Sequence, residues 1–204
     1  MCQEVFKIVQ TMDLSQVETK LVLQCAPLIK GIKMSNLLIV SSKDEDAVRI
    51  ILKKTGILHY RLLRQDEKTT FLLFRKMQLA THLNDPEVQR ILKANGYHDL
   101  SLGGILRTFQ YHYQTYMDQG EGFPHEMGLL LGYPLEDVLG FIEHKGNNYL
   151  YSGYWKVYAD VASKRKIFDA YEEAKEELIV LLANGHGIRP IIQLYREQSI
   201  PFAS

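Results

Sequence analysis

The sequence is poor in cysteine and has no long apolar run. Cys2 and Cys25 are the only cysteines among 204 residues, too few for the disulfide framework of a small secreted domain. The chain does not open with a basic segment followed by an apolar stretch, so we predict no secretion signal. Apolar runs such as Leu129-Leu130-Leu131 are far shorter than the roughly 18 residues that span a membrane. We therefore expect a cytoplasmic protein with reduced thiols.

The sequence also has no excess of charge of either sign. Its 24 lysines and arginines balance 24 aspartates and glutamates. Proteins that bind nucleic acids or anionic membranes by electrostatic attraction carry clustered positive charge. We therefore expect neither a nucleic acid nor a membrane surface as a partner. The hydrophobic content of 46% and charged content of 24% are typical of a globular protein.

Several motifs of well-known enzymes and cofactor-binding proteins are absent. Gly120-Glu121-Gly122 lacks the spacing and the lysine of a phosphate-binding loop, and no serine lies in a G-x-S-x-G turn. No cysteine and histidine set has zinc spacing, and the His125-Glu126 pair has no second histidine one helical turn later. The sequence therefore identifies no cofactor and no metal site.

The hydrophobic pattern predicts an α+β fold. We predict helices over residues 15–25, 44–54, 76–83, 86–94, 102–118, 124–131, 134–143 and 161–183, and strands over 36–41, 57–64, 69–75 and 149–158. Pro27 is expected to end the first helix, and the second and third strands are expected to form an antiparallel hairpin. The apolar stretch 191–195 predicts a final short helix, followed by a frayed end. The order of these helices and strands predicts a single domain over residues 1–204, with a small, partly antiparallel sheet of three to four strands surrounded by helices. A mixed α/β arrangement is the alternative.

Residues 120–160 differ from the rest of the chain. They contain seven of the 14 glycines, five of the 12 tyrosines and the single tryptophan. Acidic residues outnumber the bases Lys145 and Lys156 in this segment. This composition favours a cationic or metal-bearing ligand, or one small anion held by Lys156, over a polyanion.

His125 and Glu126 follow Pro124 at a predicted helix start. The helix dipole at that position favours an anion and disfavours a charged imidazole. A neutral histidine beside a carboxylate can act as a general base or a metal ligand. The alternative is structural: Glu126 caps its own helix, and His125 bonds to a nearby loop.

Lys156 lies in a predicted strand, on the same face as Tyr154 and Tyr158 and opposite Trp155. A lysine there must lie at an edge or pair with a carboxylate, for which Glu126, Glu136 and Asp137 are the candidates. Such a lysine could anchor an anionic ligand. The alternative is an aromatic core past which the lysine extends to solvent.

Cys25 lies at the carboxyl end of a predicted helix. The negative end of the helix dipole raises the pKa of a thiol, so a buried structural cysteine is the favoured interpretation. Proximity of Cys25 to His125 in the folded chain remains open.

Four blocks of the sequence together resemble a known family. They are Cys25-Ala26-Pro27 with Gly31-Ile32-Lys33, then Gly96-Tyr97, then residues 123–138 (FPHEMGLLLGYPLEDV), and finally residues 153–158 (GYWKVY). The chain resembles a family of uncharacterised bacterial proteins of about this length, found largely in anaerobes. The resemblance implies that the shared pattern includes Cys25, His125, Glu126, Tyr133, Glu136, Asp137, Trp155 and Lys156. It implies no particular activity.

The favoured hypothesis is a small-molecule-binding domain, with enzymatic activity left open and a site within residues 120–160. The candidate catalytic residues are His125, Glu126 and Cys25. The candidate ligand-binding residues are Tyr133, Glu136, Asp137, Tyr154, Trp155 and Lys156. A metal-binding variant would use the three candidate catalytic residues as ligands. The alternative hypothesis is a noncatalytic or regulatory module that recognises a protein partner through exposed aromatic side chains.

Overall fold

A computed structural model describes residues 2–120 and 122–198. The helices are α1 Gln3–Thr11, α2 Val17–Ile29, α3 Glu45–Leu52, α4 Lys76–Leu83, α5 Pro86–Ala94, α6 Leu102–Gln119, α7 Met127–Leu130, α8 Leu135–Glu143, α9 Val161–Ala183 and α10 Ile188–Gln198. The strands are β1 Ser35–Ser41, β2 Leu58–Gln65, β3 Lys68–Phe74, β4 Tyr151–Ser152 and β5 Lys156–Val157. Within the described ranges no helix is long and apolar enough to span a membrane. Glu121 and the predicted frayed end, residues 199–204, lie outside the described residues.

The main sheet has three antiparallel strands in the order β1-β3-β2. The β2–β3 turn contains Asp66 and Glu67, whose φ angles are 48° and 60°. Two consecutive positive φ angles are typical of the tight turn whose twist matches that of a hairpin. The predicted hairpin and the α+β class are both confirmed, with helices packed around a small sheet.

The strand β3 separates two hydrophobic cores. Side chains alternate across a strand, so Phe71 and Leu73 join one core while Leu72 and Phe74 join the other. The first core is completed mainly by α2, α3, α9 and α10, and the second by α4 to α8. This central position explains why β3 reads as a continuous apolar run in the sequence.

The predicted strand 149–158 is instead a two-stranded hairpin, β4–β5. The chain reverses at Gly153 and Tyr154, and the Gly153 N–H donates to the Trp155 carbonyl. Tyr154 therefore does not share a strand face with Lys156, contrary to the sequence prediction. The reversal is stabilised by an aromatic cluster that joins Trp155 to Phe168 and Tyr171 of α9.

Two predicted helix boundaries were wrong. Pro27 lies within the last turn of α2, which continues to Ile29. The burial of the flanking residues in the first core offsets the cost of the N–H that proline lacks. The predicted helix 124–131 is shortened to α7, so His125 and Glu126 occupy the turn before it. The amino-terminal helix α1 was not predicted, although Val5, Ile8, Val9 and Met12 follow helical spacing and pack on the first core.

Candidate functional site

A cavity of about 220 Å³ lies between the α7–α8 segment and the β4–β5 hairpin. We call it the aromatic cavity, and its lining residues are Phe123, His125, Met127, Gly128, Tyr133, Asp137, Val138, Phe141, Tyr154, Trp155 and Lys156. The rings of Tyr133 and Trp155 stack with centroids 4.8 Å apart. Phe123, His125 and Phe141 form a second group, with centroid distances of 5.5 to 5.9 Å. The cavity is thus bordered by two groups of rings.

Asp137 connects helix α8 to the hairpin. Its Oδ2 accepts a 2.7 Å hydrogen bond from Nε1 of Trp155, and its Oδ1 accepts a 2.7 Å bond from the Tyr158 N–H. The Ala159 N–H donates a longer bond, 3.3 Å, to Oδ1. Both carboxylate oxygens are therefore occupied by hydrogen bonds within the protein. The role visible for Asp137 is to position the Trp155 side chain at the cavity.

Glycines allow the elements around the cavity to approach closely. A Cβ on Gly128 would lie 2.8 Å from Val138 Cγ2, so only glycine lets α7 lie this close to α8. A Cβ on Gly140 would lie 2.5 Å from Cβ of Tyr158. Both distances are shorter than a carbon contact permits, which explains the glycines at these two positions.

The His125 side chain, which lines the aromatic cavity, carries a polar atom without a partner in the described part of the chain. Its Nδ1 is buried and has no hydrogen-bond partner among the described residues. A buried polar atom without a partner costs about 1–3 kcal/mol, so native proteins seldom retain one without a reason. A ligand atom in the cavity is one partner that would satisfy it.

Lys156 lies at the same cavity. Its Nζ donates a 2.6 Å hydrogen bond to the Gly146 carbonyl, and it lies over the rings of Tyr149 and Phe141, 5.0 and 5.7 Å from their centroids. Among the ion pairs of the described residues, none involves Lys156. Of the two alternatives, an edge position or a carboxylate partner, the carboxylate is not found there, and ring faces with one carbonyl hold the ammonium.

Tyr154 closes the cavity beside α9. Its hydroxyl donates a 2.6 Å hydrogen bond to Oε1 of Glu172. Burial and the adjacent Glu172 carboxylate raise the pKa of Tyr154, and burial also raises the pKa of Tyr133. Both phenols therefore stay neutral hydrogen-bonding groups at physiological pH.

The structure brings most of the predicted site residues together. His125, Tyr133, Asp137, Tyr154, Trp155 and Lys156 all line the aromatic cavity. Glu136 does not, because it forms an ion pair with Lys164 of α9. Contact with a ligand remains a prediction for each of these residues.

Cys25 lies elsewhere, in the first hydrophobic core. It is 0% exposed, and its Sγ lies 3.6 Å from the Leu37 carbonyl oxygen. Burial raises the pKa of its thiol to about 12. The structure does not place Cys25 at the cavity with His125, and a buried thiol that keeps its proton is a poor nucleophile.

Glu126 bonds to His112 instead of His125. The Glu126 carboxylate is 2% exposed, and its Oε1 accepts from the Tyr97 hydroxyl at 2.9 Å and lies 2.7 Å from Nδ1 of His112. Sequence reasoning missed this triad because its members lie 14 and 15 residues apart, with no local spacing to connect them. Tyr97 stands only in one block of the family resemblance, and no motif of the sequence singles out His112.

The triad lies beneath an open groove of about 500 Å³. We call it the outer groove, and its lining residues are Asn95, Tyr111, His112, Thr115, Gln119, Gly122, Phe123, Pro124, His125 and Glu126. Phe123 and His125 line both the groove and the aromatic cavity. The two spaces are therefore neighbours.

The metal-binding variant finds no support in this geometry. Over residues 2–120 and 122–198, no group of three histidine, cysteine, aspartate or glutamate side chains could hold a metal ion. Glu126 bonds to His112, the His125 ring packs against Phe123 and Phe141, and Cys25 lies in the first core.

Comparison with known proteins identifies one family. Residues 21–192 match the family described as protein of unknown function, DUF3793. No curated protein and no solved structure matches the chain. The match covers most of the chain and confirms the resemblance to an uncharacterised family of about 200 residues. The chain therefore belongs to the DUF3793 family.

Proposed function

We propose that this chain binds a small planar molecule, one or two rings in size, in the aromatic cavity. The observation that carries the proposal is the buried Nδ1 of His125, which lacks a partner among the described residues and belongs to a side chain that lines a largely apolar cavity. The volume of about 220 Å³ corresponds to roughly seven water molecules in the liquid. Two groups of rings favour a flat ligand that can stack between them.

The ligand we propose carries an acidic group. The Lys156 ammonium has three N–H donors, of which one bonds to the Gly146 carbonyl. The carboxylate of Asp137 is already occupied by three N–H groups, so it attracts a cationic ligand less than a free carboxylate would. A ring that bears a carboxylate could place its face on Trp155 and its charge near Lys156.

We place this function in the bacterial cytoplasm, without nucleic acid or membrane partners. The balanced charge of the chain supports this setting. Two free cysteines, one exposed and one buried, fit a reducing compartment. The proposal concerns binding, and any chemistry on the ligand is a separate question.

Three one-ring probes test the proposal by titration followed with two-dimensional NMR. Benzoate is the anionic probe, toluene the neutral one and benzylamine the cationic one. We expect benzoate to bind most tightly and to shift the indole signal of Trp155, the only tryptophan. Lys156→Met should weaken the binding of benzoate about tenfold or more and leave the binding of toluene unchanged, because only benzoate forms a charge-assisted hydrogen bond with the lysine.

His125→Phe should weaken benzoate as well, while keeping the ring volume. The matched control is His82→Phe, since His82 also has a buried nitrogen without a partner but does not line the cavity. Absence of saturable binding by all three probes would refute the proposal. Tighter binding of benzylamine than of benzoate would refute the acidic group alone.

The alternative, a noncatalytic interaction module, is supported by a different observation. Tyr149 and Leu150, which precede the β4–β5 hairpin, are 45% and 65% exposed. Exposed apolar side chains of this kind can anchor a protein partner. Light scattering of the wild type and a Leu150→Ser variant tests self-association: a monomer in both cases removes a second copy as the partner.

A further inference from the structure

We propose that His112 is a general base that accepts a proton from water in the outer groove, with Glu126 as its positioning residue. This site is distinct from the aromatic cavity, and the inference does not depend on a ligand there. The acyl group of a small ester is the substrate class that water activated in this way would attack.

The first step concerns the buried carboxylate. Glu126 is 2% exposed, and a buried carboxylate is costly unless hydrogen-bond donors surround it. The Tyr97 hydroxyl supplies one donor at 2.9 Å. Burial and the Glu126 charge raise the pKa of Tyr97, so this phenol keeps its proton. The second donor must come from His112, whose Nδ1 lies 2.7 Å from the same oxygen.

The second step concerns the tautomer of His112. Because Nδ1 carries the proton that faces Glu126, a neutral His112 has an unprotonated Nε2. The side chain of His112 is 29% exposed and lines the outer groove. Glu126 occupies the Nδ1 edge of the ring, so we infer that the exposed part of the side chain is the edge that carries Nε2. Within the described residues Nε2 has no hydrogen-bond partner.

The arrangement has the physical logic of a carboxylate–histidine pair in hydrolases. The carboxylate holds the ring in the tautomer that leaves Nε2 basic, and it stabilises the imidazolium that forms when Nε2 takes a proton. The edge-on ring of Tyr97, with its centroid 5.4 Å from that of His112, restricts rotation of the imidazole further. Preorganisation of this kind is what distinguishes a general base from an ordinary surface histidine.

The side chains of the groove suggest that the nucleophile is water. Thr115 lines the groove one turn from His112 on α6, and its Oγ1 already donates to the Tyr111 carbonyl at 2.9 Å. In the proposed reaction Nε2 takes one proton from water, and the oxygen adds to the ester carbonyl carbon. The bond to the alcohol oxygen then breaks, and the imidazolium returns the proton to that oxygen. The products are a carboxylic acid and an alcohol.

The first measurement uses the wild-type protein and needs no variant. Long-range proton–nitrogen correlation of the histidine rings at neutral pH reports which nitrogen carries the proton. We expect His112 in the Nδ1–H form. Exposed histidines such as His98 and His186 should show the Nε2–H form that free imidazole side chains favour. An Nε2–H tautomer of His112 would overturn the proposal.

The second measurement is the hydrolysis of p-nitrophenyl acetate, with the tautomer measured in the same samples. We expect the rate above buffer to fall about tenfold or more in Glu126→Gln and to vanish in His112→Gln. Glu143→Gln, at an exposed glutamate of α8, is the matched control and should match the wild type. A wild type that is no faster than His112→Gln would overturn the proposal, as would an unchanged rate and tautomer in Glu126→Gln.

Discussion

The indole Nε1 of Trp155 donates a 2.7 Å hydrogen bond to Oδ2 of Asp137, across 18 residues of chain. Asp137 lies on α8 and Trp155 at the tip of the β4–β5 hairpin. This bond and the two backbone N–H groups that donate to Oδ1 connect helix α8 to the β4–β5 hairpin on either side of the aromatic cavity. A hairpin with two residues per strand has little stability alone, so we attribute its position to Asp137 and to the rings of α9.

Asp137→Asn should destabilise the protein. The new amide cannot accept from both Trp155 and the Tyr158 N–H as the carboxylate does, so one buried donor loses its partner. We expect the free energy of unfolding to fall by about 1–3 kcal/mol in urea denaturation. Asp169→Asn, at an exposed carboxylate of α9, is the control and should change it by less than about 0.5 kcal/mol. Equal effects of the two substitutions would contradict the assignment.

Gly153→Ala should also destabilise the protein, but through steric overlap. A Cβ at this position would lie 2.4 Å from Cε2 of Phe168, which is itself packed against Trp155. We expect a loss of about 1–3 kcal/mol, as in other overpacked cores. Gly103→Ala in α6 is the control, because its Cβ would meet only the flexible end of Arg107 at 3.5 Å. Helix propensity predicts a gain of about 0.5–1 kcal/mol there, and thermal denaturation distinguishes the two signs.

Cys25 should resist alkylation in the folded protein. It is fully buried, and its thiol pKa is raised to about 12 by burial, whereas Cys2 is exposed. We expect iodoacetamide at pH 8 to modify Cys2 readily and to modify Cys25 only after denaturant is added. Peptide mass mapping of both samples provides the measurement. Rapid modification of native Cys25 would restore it as a candidate nucleophile.

Lys33 should make stability rise with pH in a defined window. Its ammonium is buried, donates a 2.6 Å hydrogen bond to Asn36 Oδ1, and lies 5.5 Å from the ring centroid of Tyr133. Burial lowers its pKa from 10.5 to about 8. Between these two values the unfolded chain binds more protons than the folded chain, so the contribution of Lys33 to the free energy of unfolding increases with pH.

Lys33→Met removes this pH dependence. We expect the stability of the variant relative to wild type to be highest at pH 7 and to fall by roughly 2 kcal/mol by pH 10. Urea denaturation at both pH values measures this difference in the free energy of unfolding. Cys25 is present in both proteins, so its titration largely cancels in the comparison. Lys93→Met, at an exposed lysine of α5, should show no such change. A constant difference for Lys33→Met would mean that the lysine is not charged and buried as described.

Local sequence patterns were sufficient for several elements. The polar residues between two β-prone runs predicted the β2–β3 hairpin, because a short turn pairs neighbouring strands without help from the rest of the chain. The helix predicted over residues 86–94 begins with an N-cap aspartate followed by proline, and the Asp85 carboxylate accepts from the Glu87 and Val88 N–H groups. The unusual composition of residues 120–160 also indicated the segment that forms most of the aromatic cavity.

Other features depended on contacts between distant parts of the chain. Nothing within residues 149–158 marks the reversal at Gly153, because the ring of Phe168 that requires a glycine there belongs to α9. The pairing of Glu126 with His112 and Tyr97 joins α6 to two turns that are remote in sequence. Sequence by itself determined which residues could pack, cap and ionise. Only the tertiary structure decided which of them meet, because burial and hydrogen bonding of a side chain depend on neighbours that no local pattern specifies.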